Sequence, residues 1–67
     1  MTQAAFFMRL PDVMARTGLS KTTIYGLIKS ATFPAPVPLG ARAVGWVSTE
    51  IDGWMADRLQ AAGRKVA

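Results

Sequence analysis

Apolar residues recur along this chain with two different periods. Leu10, Val13, Met14 and Thr17 stand at i, i+3, i+4 and i+7, the spacing of one helix face. Pro11 sits where helices start, at the first helical position, and Asp12 follows in the first turn, where the helix dipole favours an acid. Gly18 ends the pattern as a glycine past a helix end does. Ser20 is a good N-cap for a second helix over "KTTIYGLIKSA", whose stripe is Ile24, Leu27, Ile28 and Ala31. Thr22, Gly26 and Lys29 fall opposite that stripe, with Tyr25 beside them. Two short helices joined by about four residues containing glycine have helix-turn-helix grammar. Purely structural helix hairpins share it, and the pattern by itself does not separate the two.

The period then changes to two. In "TFPAPVPLGARAVGW" prolines occupy Pro34, Pro36 and Pro38, alternating with Phe33, Ala35, Val37 and Leu39. Successive N–H groups of an extended chain point to opposite sides. The prolines therefore remove donors from one side only, and the N–H groups of Ala35, Val37 and Leu39 all face the other. Such a strand pairs along one edge and blocks the other. Val44–Val47 is its nearest partner, which makes residues 40–43 a hairpin tip presenting Arg42. A third helix starts at Ser48 or Thr49, either able to cap, with Glu50 and Asp52 in its first turn. Its stripe is Ile51, Trp54, Met55, Leu59 and Ala62, and Gly63 stops it. Phe6–Arg9 is at most a short extended lead-in. The expected fold is mainly α with a small β-hairpin, in the order α-α-β-β-α: a winged helix-turn-helix over residues 6–62, with a flexible N-terminus at 1–5 and a basic tail at 63–67.

Sixty-seven residues allow one domain, and a chain this short buries only about 60% of its unfolded surface. With no Cys and no His, disulfides, thiol nucleophiles, histidine bases and soft or imidazole metal sites drop out. The four acidic residues are scattered, so neither a catalytic constellation nor a metal or other cofactor is expected. No apolar run approaches the ~20 residues that span a bilayer, and "MTQAAFFMRL" lacks the layout of a signal peptide, which makes the cytoplasm the expected location and a membrane no partner.

Charge sharpens the picture. The net charge is +4, and residues 13–47 carry Arg16, Lys21, Lys29 and Arg42 with no acid. A basic middle on a small domain points to a polyanion, though a solvated face has the same composition. In helix-turn-helix proteins the second helix reads the major groove from its N-terminal turns. Ser20, Lys21, Thr22 and Tyr25 are placed for that, Lys29 and Arg16 for phosphates, and Arg42 for a flanking backbone or minor groove. Ser20 is a cap first. Gly26 is the odd residue of this helix: it costs roughly 1 kcal/mol against Ala, and either lets backbone approach DNA or occupies a site without packing demands. Trp46 and Trp54 read as core aromatics, and Arg64–Lys65 as a solvated tail.

The pieces "TGLSKTTIY", "FPAPV", "LGARAVGW" and "EIDGW", in that order, resemble the AlpA family of small phage and prophage regulators over about residues 8–59. That family is related to excisionases and to the DNA-binding head of MerR-type regulators. The resemblance implies a winged-helix regulator of the nucleoid that binds double-stranded DNA through Ser20, Lys21, Thr22 and Tyr25, with Arg42 in the wing. It also implies action on integrase or excision genes, with a phage integrase or RNA polymerase as a further partner. The chain departs from the family pattern at Gly26, usually basic, at Ala31–Thr32, usually charged, and at Gly53. An architectural excisionase-type directionality factor, or a protein-interaction module for a recombinase, are the alternatives. No long dimerisation helix is present, so a monomer or weak dimer, paired on tandem sites, is expected.

Overall fold

The computed structural model describes residues 5–63. The elements in order are β1 (Phe7–Met8), α1 (Leu10–Thr17), α2 (Lys21–Lys29), β2 (Val37–Pro38), β3 (Val44–Val47) and α3 (Ser48–Ala61). Three helices pack with a small antiparallel sheet, which is the winged helix-turn-helix arrangement. The expectations for the first four residues and for the tail carrying Arg64 and Lys65 lie outside the described residues.

α1 opens at Leu10, one residue before Pro11, with Arg9 as its N-cap. Gly18 closes it in the left-handed conformation (φ 74°) that disfavours any Cβ, its N–H donating to the Met14 carbonyl. Only three residues, Gly18–Ser20, separate α1 from α2. The second helix ends at Lys29, two residues short of the stripe that included Ala31. Ala31 takes φ 60° and is exposed. The Thr32 N–H reaches back to the Leu27 carbonyl at 2.9 Å, and the Ser30 and Thr32 hydroxyls donate to the same oxygen. Those bonds stop the helix where periodicity alone would continue it.

The sheet order is β1-β3-β2. Val37 faces Gly45 and Pro38 faces Val44, and the Leu39 N–H donates to the Ala43 carbonyl at 2.7 Å. The proline-bearing strand is thus an edge strand with its donors turned inward, and Gly40–Ala43 forms the tip. It is shorter than the alternation from Phe33 implies. Phe33 turns into the core, and the Trp46 indole N–H captures the Pro34 carbonyl at 3.1 Å, which draws residues 33–36 off the ladder.

The other edge of β3 holds β1, with Phe7 opposite Val47 and Met8 opposite Trp46. Ser48 fastens this strand. Its hydroxyl accepts the Phe6 N–H at 3.0 Å, and its own N–H donates to the Phe6 carbonyl at 2.8 Å. Ser48 therefore does not cap α3: Val47 occupies the cap position, with no side-chain bond to the helix. The buried core takes one residue from β1, from each helix, from the segment before β2 and from β3, and none from β2: Met8, Val13, Ile24, Phe33, Trp46 and Ile51. Trp54 and Met55 pack against it and stay partly exposed, while Leu59 and Ala62, at the far end of the expected stripe, are exposed.

Candidate nucleic-acid interface

The N-terminus of α2 is built by Ser20. Its extended backbone turns the chain into the helix, and its hydroxyl accepts the Thr23 N–H at 3.2 Å while lying 3.0 Å from the Thr23 hydroxyl. The Ser20 carbonyl takes the Ile24 N–H. The Lys21 and Thr22 amides head the helix, where amides have no intrahelical acceptor and the dipole is positive. No acid lies in this first turn to neutralise it.

Ile24 is buried, which fixes the rotation of α2. At roughly 100° per residue, Lys21, Tyr25 and Lys29 then form one outward edge at i, i+4 and i+8, with Thr22 and Gly26 beside them. All five are exposed. Tyr25 is 40% exposed and stands edge-on to Trp46, ring centroids 6.3 Å apart. The buried indole of β3 thus sets the position of the tyrosine on α2, a contact between helix and wing with no signature in sequence spacing. Lys29 closes the helix, where a cation complements the dipole. Gly26 has nothing within 4 Å of where a Cβ would stand, so no packing within the described residues demands glycine there.

Arg42 is exposed at the hairpin tip, within the Gly40–Ala43 turn that joins β2 to β3. Among the described residues Lys21, Lys29 and Arg42 make no ion pair. Arg16 does: its guanidinium lies 2.7 Å from a carboxylate oxygen of Asp52 on α3, with its side chain 54% exposed. Arg16 therefore ties α1 to α3, apart from the run on α2. The remaining acids, Asp12, Glu50 and Asp57, also belong to α1 and α3. The second helix and the hairpin carry positive charge alone.

No helix among the described residues is long and apolar enough to cross a membrane. The model of a family described as prophage CP4-57 regulatory protein (AlpA) matches residues 6–59. An uncharacterized protein of Enterobacteria phage P4, ORF88, is 49% identical over 59 residues, which covers 88% of this chain and 65% of that protein. The DNA-binding transcriptional activator AlpA of Escherichia coli K12 is 39% identical over 61 aligned positions, covering 82% of this chain and 87% of the relative.

Proposed function

The chain belongs to the AlpA family of prophage regulatory proteins, and from that premise we propose that it is a transcriptional regulator that binds double-stranded DNA at specific sites. The observation that carries this reading is the exposed edge of α2. Lys21, Tyr25 and Lys29 run along it from a helix N-terminus that no acid neutralises. An α-helix fits the major groove. Ser20, Lys21, Thr22 and Tyr25 face base edges and the nearest phosphates, Lys29 a phosphate further along, and Arg42 on the wing the flanking backbone or minor groove. Arg16 contributes as a half-exposed cation at the margin while it holds Asp52.

The mechanism is binding without catalysis or cofactor, in the bacterial cytoplasm on nucleoid DNA. Target genes of the integrase or excision type fit the family. One module of this kind covers about 600–1,000 Å² of DNA-facing surface, so a single copy binds weakly and paired or tandem sites strengthen it.

Fluorescence anisotropy with duplexes from upstream of its own gene and of a neighbouring integrase gene tests the reading, against a shuffled duplex. With three or four phosphates neutralised, log K falls with log salt at a slope of roughly −3 to −4. Alanine at Lys21, Tyr25 and Arg42 together abolishes the preference for the natural duplex. A slope near zero, or intact affinity in the triple variant, refutes the groove geometry. Equal, salt-sensitive binding to every duplex assigns an architectural role instead.

A further inference from the structure

On α3, Glu50, Gly53, Trp54 and Asp57 stand at i, i+3, i+4 and i+7. All four line an open groove of about 780 Å³ whose other wall is the segment from Ala31 to Val37. The apolar surface is Pro34, Ala35, Pro36, Val37 and the partly exposed Trp54 ring, with Phe33 buried beneath them. Pro34 and Pro36 have no N–H, and the Pro34 carbonyl already holds the Trp46 indole, so that wall offers mainly ring surface. Trp54 is held in place: its indole N–H donates to the Thr32 carbonyl at 2.7 Å, Phe33 meets it edge-on at 4.8 Å, and the Arg58 guanidinium lies 5.1 Å from its centroid. Between the two acids, Gly53 has nothing within 4 Å of where a Cβ would stand. A glycine inside a helix costs about 1 kcal/mol against Ala, and here it leaves the floor of the groove open down to the helix backbone.

Neither Glu50 nor Asp57 makes an ion pair among the described residues. Seven helical residues separate them by about 10.5 Å along the axis. A polyproline-II segment advances about 9 Å in three residues and returns its side chains to one face at every third residue. The geometry points to a partner protein that lays a polyproline-II segment in this groove, with basic side chains at positions i and i+3 against Glu50 and Asp57 and an apolar side chain between them turned toward Trp54. Charge sign selects that occupant. The same carboxylates repel a phosphate backbone, so this face is suited to protein, whereas α2 and the hairpin carry the positive charge. The inference rests on side chains other than those of the DNA reading and stands without it.

The test is an NMR titration of the isotope-labelled full chain with the peptide acetyl-Ala-Arg-Leu-Ala-Arg-Ala-amide. A control peptide carries Glu for both Arg residues. Shifts are expected at the Gly53 amide, the Trp54 indole N–H and residues 35–37, and not on α2. Exposed ion pairs are individually weak, so Glu50→Gln with Asp57→Asn together weakens binding about three- to tenfold, and raising salt from about 50 to about 300 mM does the same. Both substitutions sit on exposed positions, and the spectrum of the free variant verifies its fold. The inference is overturned by no response at about 10 mM peptide, by an equal response to the Glu peptide, or by affinity unchanged in the double variant. Shifts at these residues that grow with protein concentration alone also overturn it, because they assign the groove to a second copy of the chain.

Discussion

Replacing Ser48 by alanine tests how this small domain holds its N-terminal strand. Ser48 is only 4% exposed, and its hydroxyl accepts the Phe6 N–H. Removing the oxygen leaves that N–H in a partly buried place without its protein partner. A net hydrogen bond is worth about 0.5–1.5 kcal/mol, and a donor left unsatisfied costs about 1–3 kcal/mol. Alanine is the better helix former by a few tenths of a kcal/mol at most at a helix end, which offsets a little. The backbone bond from the Ser48 N–H to the Phe6 carbonyl survives. The net expectation is a loss of about 1 kcal/mol. With an unfolding entropy of about 2.1 cal/mol/K per residue, that lowers Tm by roughly 4–8 °C in a domain this size. Thermal denaturation by circular dichroism reads the loss, and amide exchange locates it. Phe6 and Met8 exchange faster, because β1 is secured by a two-residue ladder and this clamp, while the Ile24 amide follows global unfolding alone. A Tm within about 1 °C of the parent, with Phe6 still protected, refutes the idea that Ser48 anchors the strand.

Four further outcomes follow from the same packing. Trp46→Ala removes the largest fully buried side chain and the bond to the Pro34 carbonyl; its cost of about 3–5 kcal/mol matches the whole stability expected of so small a core, so a cooperative melt would contradict the assignment. Trp54→Ala costs less, about 2–3 kcal/mol, because that ring is partly exposed, and denaturant titration of the two variants should rank them in that order. Gly26→Ala raises stability by up to about 1 kcal/mol, since its Cβ enters empty space; an unchanged or lower midpoint in urea would mean that something packs on Gly26. Ala31→Gly relieves a left-handed backbone that costs a Cβ-bearing residue about 1–2 kcal/mol, and calorimetry should show a gain of several tenths of a kcal/mol after the added chain entropy.

The three helices and the centres of their buried faces were legible in the sequence, because 3.6-residue periodicity and glycine stops act within a few residues of one another, although Ala31, Leu59 and Ala62 at the ends of the stripes stay exposed. Val13, Ile24 and Ile51 lie on the stripes that periodicity marks, and all are fully buried. The edge character of β2 was equally legible, since a missing N–H is a property of proline wherever it stands. So was the composition of the candidate interface, because a run of cations without acids is read by counting. What tertiary structure decided were contacts between residues far apart in the chain. β1 is a two-residue strand with too little pattern to announce itself, and it exists because β3 offers an open edge and Ser48, 42 positions from Phe6, closes on it. Ser48 looked like a cap, but its partner is Phe6, just before β1. Arg16 had an exposed cationic pattern and finds Asp52, 36 positions away. Tyr25 takes its place from the Trp46 ring. The start of β2 was set in the same way, by the Trp46 indole on the Pro34 carbonyl, whereas the end of α2 is local, with Ser30 and Thr32 closing on the Leu27 carbonyl. Local preferences are encoded within one helical turn or one strand pair, whereas these partners meet only once the core has brought the elements together.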